Sequence, residues 1–572
     1  MKFLIYKIYV VLFLISIFLI QPEVSARDNE IQYTSESISN YFSGIVSVDK
    51  DDNNGAYKHL KKVQFLKNRH TKFNTEFIKT LVLLEKFDEA ISFSEGIWKE
   101  SELLFEADLL LGLNSFIKED YINAGRYFER LNKTYRYNLF YEDFISNVLV
   151  AWSEASQGNK EDSFKLLEDT SRPFRHLKRI QNAFLECYFD SEKTQSFFVE
   201  IIQDKNYDFS RYKFFLINYL LFKDEAEGAK KIINNNSKEY NSNLLIKETE
   251  FFLLNDENEK IKSFFNCQNP KDLLAEFFYV IANLYSSERD YQLSNFYLKI
   301  SLFLNKKFLT NKALLAENYY FQKKNKLSKN IYKSLRSIGP IYSWYASKNV
   351  ATILLKERGK KYSVNRLQKE FNLLSNPNFE NYYELANFYK DNEYYEKSIK
   401  YYSLTLKNIK EDHFLIPKIL DRRGTSYERL DDWKNAEKDL TESLRIFPDQ
   451  AHVLNYLAYS WIDKGINLDK GLEMLKKASE LKKEDGYIID SLGWAYYAKK
   501  SYIEAERFLQ KAVELLPADP IINDHYADSL WMLNKNIQAR YVWSYILKLD
   551  GTEQKLKDLV NKKLIFGFTK KL

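Results

Sequence analysis

"DSLGWAYYAKKSYIEAERFLQKA", from Asp490 to Ala512, decides the fold. It reads as two helices joined by a turn. In a 34-residue frame that starts at Gly486, Leu492 takes position 7, Gly493 position 8 and Tyr496 position 11. Ala505 then takes position 20, Leu509 position 24, Ala512 position 27 and Pro517 position 32. Two antiparallel helices approach closely only where their side chains are small, and Gly493, Ala505 and Ala512 supply those places. The large residues at 7, 11 and 24 fill the space around the contact, and Pro517 ends the second helix.

The frame propagates in both directions. From Pro520 it gives Ala527, Ala539 and Trp543; from Ala451, Leu457, Ala458 and Trp461, with one extra residue before Gly471. From Pro417 it gives Gly424, Tyr427, Ala436 and Leu440, and from Phe379, Leu385, Ala386, Tyr389 and Tyr402. Upstream, Ala275 and Leu309 start two further copies. Ser37, Thr71 and Phe105 start three more, 34 residues apart, with Ala56, Ala90 and Ala124 at position 20. The expected fold is all-α, a right-handed α-solenoid of helix–turn–helix repeats. The expected segments are repeats over 27–138, degenerate helical repeats over 139–274, middle repeats over 275–378 and regular repeats over 379–550. A capping helix and basic tail over 551–572 complete the chain. Over 139–274 and 343–378 the small residues are irregular, and diverged repeats and helical inserts are both open readings.

Residues 1–26 read as a signal peptide. Lys2 and Lys7 precede the apolar run Ile8–Ile20, and "QPEVSA" ends with Val24 and Ala26 where a signal peptidase requires small residues. An uncleaved anchor is the alternative, but the apolar run is short of the ~20 residues a span needs. The expected location is therefore the periplasm. Any membrane contact would come by association or through an uncleaved signal.

The chain has 572 residues, too many for one compact core, and its 16 Gly and 9 Pro leave room for long helices. A net charge of +6 on a 29% charged chain is nearly balanced and lacks the concentrated basic footprint of a nucleic-acid binder. Cys187 and Cys267 each fall in an apolar stretch read as helical; one disulfide is possible, and two buried thiols are at least as compatible with the sequence.

The repeat pattern resembles the tetratricopeptide repeat. The stretch Leu454–Trp531 and the N-terminal "SNYFSGIVSVDKDDNNGAYKHLKKV", Ser39–Val63, are similar to a family of exported tetratricopeptide proteins of Gram-negative bacteria. The resemblance implies an envelope-associated scaffold and carries over no catalytic residue. It also implies that positions 2, 5, 6, 9, 12 and 13 face a concave groove. Position 5 then holds Asp421, Asn455, Asp490 and Asp524; position 9 holds Thr425, Tyr459, Trp494 and Asp528; position 12 holds Glu428, Ile462, Tyr497 and Trp531. Tyr456 and His525 fall at position 6, His452 and Tyr487 at position 2.

The candidate partner-binding residues are accordingly Asn455, Tyr456, Tyr459, Tyr487, Asp490, Trp494, Tyr497, Asp524, Asp528 and Trp531. Aromatic platforms between short polar groups suit an extended peptide, and they would also stack on sugar rings. The acidic residues favour a basic or neutral, apolar protein or peptide over an acidic one. The competing reading is that each Asp bonds a neighbouring helix and the rings pack between repeats. An envelope polysaccharide is the alternative ligand.

Signals for catalysis or cofactors are absent from the sequence. It contains no G-x-x-x-x-G-K, H-E-x-x-H or G-x-S-x-G, and its six histidines show no metal-ligand spacing. "DKDDNNG", Asp49–Gly55, has Leu60 where a calcium loop needs Glu, and reads as an ordinary inter-helix turn. The expectation is a non-catalytic chain without metal or cofactor.

Overall fold

The computed structural model describes residues 33–133, 142–168, 174–234 and 243–567. The signal-like segment 1–26 and the last residues of the basic tail lie outside them. The described residues form 31 α-helices and no strand. No helix among them is long and apolar enough to cross a membrane.

The helices pair as the frame requires. Gly486–Ala498 packs antiparallel on Tyr502–Leu515, and a β-carbon on Gly493 would come 2.6 Å from Leu509. The same close approach recurs at Gly44 over Leu60 and at Gly112 over Phe128. Ala56, Ala90, Ala124, Ala436, Ala505 and Ala539 at position 20 are all fully buried.

One turn joins the two helices of repeat after repeat. Its central residue has a left-handed backbone, and the next N–H reaches back to a carbonyl in the last turn of the first helix. Glu85 has φ 62° with Lys86 N bonded to Leu81 O at 2.9 Å; Lys500 has φ 63° with Ser501 N bonded to Tyr496 O at 2.9 Å. The turn also appears where the sequence frame blurs, at Asp190, Asp224 and Asp256, with Gly158 taking the same place. The described residues between 142 and 267 thus carry the same inter-helix turn as the regular repeats. Ser163 and Ser363, fully buried, do in the blurred segments what alanine does elsewhere, as does Ser328 in the repeat that starts at Leu309. Their hydroxyls are satisfied by backbone carbonyls, as in Ser328 Oγ to Ala316 O at 2.8 Å.

The chain divides into two compact units, Met1–Tyr342 and Ser343–Leu572. In unit 1 the first helices of several repeats close around a later hairpin, Pro270–Ser287 with Tyr291–Leu304. Thr71–Leu83 packs on the second helix of that hairpin, and Phe87 stacks on Phe303 at 4.0 Å. Glu142–Ser156 meets the first helix, with Phe144 5.9 Å from Phe277. Arg211, at the head of Tyr212–Phe222, forks onto the fully buried Glu276 at 2.7 and 2.8 Å, reaches Asn311 at 2.9 Å and lies 3.9 Å from the Tyr279 ring centre. Two turn residues complete the closure: Glu85 pairs with the buried Lys299, and Asp51 accepts from Gln322 at 3.0 Å. One continuous apolar core results, from Val48 to Tyr319.

Unit 1 also holds a disulfide between Cys187 and Cys267. Cys187 lies in the last turn of the helix Arg175–Tyr188, but Cys267 sits in the turn before Pro270–Ser287 and not in a helix. A turn can present its sulfur to a neighbouring helix end, so the two buried free thiols weighed from the sequence are not what forms.

Unit 2 is built otherwise. Its apolar residues fall into small clusters confined to one repeat or two neighbours, such as Ala458–Ile462–Leu475–Leu492 and Ala527–Leu530–Trp543–Val560. The helix Gln554–Phe566 follows the last full repeat, with Val560 buried against it.

Candidate functional site

The candidate residues lie on the layer formed by the first helices of successive repeats in unit 2: Ala451–Asp463, Gly486–Ala498 and Pro520–Met532. Helix periodicity puts positions 2, 5, 6, 9 and 12 on one side, away from the small residues that meet the second helix.

The aromatic members form the accessible part. Trp494 stacks on Tyr497 at 4.6 Å with the planes 5° apart, and on His525 of the next repeat at 4.1 Å and 16°. Tyr459 is half-buried, and burial first, then the Asp490 and Asp463 charges, push its phenol up to about 12. Tyr487 is 59% exposed. Tyr456 donates to Glu428 at 2.6 Å, tying two repeats together. Asn455 is half-buried, and its Oδ1 has no hydrogen-bond partner among the described residues. Trp531 packs on Trp543 at 5.4 Å beneath the Arg540 guanidinium and is the most structural of the rings.

The acidic members are placed differently from the expectation of an open, ligand-selecting ladder. Asp490 is 6% exposed and binds His525 Nδ1 at 3.0 and 3.1 Å. Burial opposes charge on that imidazole, but Asp490, with Asp524 and Asp528, more than offsets it and holds its pKa above the ordinary value. Asp524 and Asp528, 7% and 2% exposed, share one cation, Lys563 Nζ, with every contact at 2.8 Å. Burial, then the Asp524 charge, pushes Asp528 up to about 7, against the pull of Lys563 and His525. These three carboxylates are consumed between neighbouring helices. They cannot select a basic ligand, because that charge is already answered from within the chain.

Lys563 is the residue the sequence reading passed over. It lies three residues after the buried Val560 on Gln554–Phe566, so it shares the face turned to the last repeat. A lysine at that register, beside the apolar spacing of Leu556, Val560 and Leu564, was the available signal. His452 is exposed and contacts Lys482 at 2.7 Å. Ile462 is buried under Gly471 and belongs to the core. Among the described residues no group of three or more His, Cys, Asp or Glu could hold a metal ion.

The hairpins, their shared turn and the position-8 contacts define an α-solenoid of tetratricopeptide-type repeats. A TPR repeat-containing protein of Pseudomonas aeruginosa is 32% identical over 127 residues, which is 22% of this chain and 21% of that relative. The chain thus covers about a fifth of that relative's length. No protein-family model matches. Among solved structures, the Cut9–Hcn1 assembly of the APC/C aligns over 93% of this chain and 97% of its own, at 14% identity and a TM-score of 0.36. Yeast Tom70 aligns over 81% and 96%, at 15% and 0.34. MamA from Desulfovibrio magneticus RS-1 aligns over 32% and 99%, at 15% and 0.28.

Proposed function

We propose that the protein is a non-catalytic scaffold of the periplasm that holds an extended, apolar or neutral segment of a protein partner along the first-helix face of unit 2. The observation that carries this reading is the row of half-buried rings Tyr459, Trp494 and Tyr497, flanked by the unpartnered Asn455 Oδ1. Rings offer area at small entropic cost, and an amide can pair with a partner's backbone. The corresponding face in unit 1 is covered by the chain's own hairpin 270–304, which leaves unit 2 as the place for a partner. A neutral ligand fits better than a basic one, since Asp490, Asp524 and Asp528 already have cationic partners. The export-type N-terminal sequence and the Cys187–Cys267 bridge support an oxidising compartment such as the periplasm.

The test is selection of unstructured peptides from a random library on the mature chain, followed by fluorescence anisotropy. Enriched peptides should be apolar and low in charge. Tyr459→Ala with Tyr497→Ala should weaken them by at least tenfold, at roughly 1–3 kcal/mol per anchoring ring, without changing helix content. Enrichment of Lys- and Arg-rich peptides, or binding indifferent to the double variant, would contradict the reading.

A further inference from the structure

Unit 1 contains a second feature that the groove reading does not use. A cavity of about 610 Å³ opens where Ile117, Phe222, Phe265 and Phe303 converge. These residues come from four different repeats, and the closure of unit 1 around its own hairpin brings them together. The volume is that of a small-molecule site and not of an extended peptide groove.

Lysine dominates the charged lining, four against one acid. Lys262, Lys271, Lys306 and Lys307 all line the cavity. Lys262 lies 5.9 Å from the Phe222 ring centre and pairs at 3.1 Å with the exposed Glu259. Lys271 and Lys307 act by charge on one nearby carboxylate, Asp272, whose burial raises it to about 6 against their pull. The other polar groups of the lining hold the wall itself. Asn305 accepts from Lys307 N and Phe308 N and donates to Phe264 O. Asp272, the one acid in the lining, accepts from Asn266 N and from Asn269 Nδ2, each at 2.9 Å. The groups left to meet a ligand are therefore ammonium ions and aromatic rings.

We infer that this cavity binds a small amphipathic anion, with its carboxylate or phosphate head among Lys271, Lys306 and Lys307 and its apolar body against Phe222, Phe265 and Phe303. Three lysines against one carboxylate leave this part of the lining net positive, and an anion among them offsets that excess. Aromatic and alkyl walls then favour an apolar body over a bare inorganic ion. The site is separate from the unit 2 face and does not rest on it.

The experiment is calorimetric titration of the full mature chain with decanoate and decyl phosphate below their micelle concentrations. Decanol, decyltrimethylammonium and inorganic phosphate serve as comparison probes. One molecule of at least one decyl anion should bind per chain, and the tighter of the two identifies the head group. Decyltrimethylammonium should not bind, and decanol and inorganic phosphate should each bind at least tenfold more weakly. Lys306→Gln with Lys307→Gln, both exposed, should weaken the decyl anion at least tenfold with an unchanged melting curve; Phe222→Ser should do the same through the apolar wall. No heat from either decyl anion would overturn the inference. So would decanol or inorganic phosphate binding as well as the anions, or both variants binding like the parent chain.

Discussion

Units 1 and 2 use the same repeat to opposite ends. Both carry the left-handed turn, at Glu85 in one and Lys500 in the other, and both close their hairpins over small residues such as Ala90 and Ala505. In unit 1 the first-helix layer wraps the hairpin 270–304, and one core runs from Val48 to Tyr319. In unit 2 the layer stays open apart from Lys563, and the cores are the size of a repeat. A solenoid that fills its own groove gains a globular core and gives up a binding face. One that leaves it open keeps the face and depends on nearest-neighbour contacts alone.

The largest expected effect falls in unit 1. Arg211→Ala leaves Glu276 buried and unpaired, which costs about 3–5 kcal/mol. Because the core is continuous, urea unfolding followed by tryptophan fluorescence and by proteolysis should show all of unit 1 weakened together. An effect limited to the neighbours of Arg211 would mean that the core is not cooperative.

Gly493→Leu should cost less, roughly 1–3 kcal/mol, by forcing Leu509 aside. The loss should stay within the repeats around 451–546, as read by limited proteolysis. An unchanged melting curve would mean that the helices there do not pack as closely as described.

A smaller effect is expected from pH. Asp528 has a folded-state value of about 7, above its ordinary value, mainly through burial. A carboxyl raised by folding contributes stability that is full below its unfolded value of ~4 and lost as pH rises through the folded value. His525 is also raised, so its contribution too is full below its ordinary value and falls as pH climbs past the folded one. The last repeats should therefore weaken between about pH 4 and above 7, and Asp528→Asn should flatten that slope. An equal slope in the variant, measured by thermal unfolding across this range, would remove Asp528 as its source.

The fold was legible wherever Gly or Ala marks positions 8 and 20, as at Gly493, Ala505 and Gly424. It blurred where serine takes over, as at Ser163 and Ser363, because a buried serine reads as polar until its hydroxyl is seen to bond a carbonyl. That Tyr459, Trp494 and Tyr497 lie on the first-helix layer followed from register together with the family resemblance, since equal positions of neighbouring repeats lie side by side. The fate of the acids did not, because Lys563 arrives from a helix beyond the regular frame. Nor did the contents of unit 1's groove: Glu85 with Lys299 and Asp51 with Gln322 join residues more than two hundred positions apart, and repeat periodicity carries no information on such pairs.

Native-state hydrogen exchange of the full chain, followed by mass spectrometry at increasing sub-denaturing urea, bears most closely on the contrast between the units. Peptides from 71–83, 142–156, 212–222 and 270–304 should merge into one opening reaction with a single free energy and urea slope. Peptides from unit 2 should open in a graded series, neighbour by neighbour. Independent openings among those four unit 1 segments, or one shared opening across unit 2, would contradict the account.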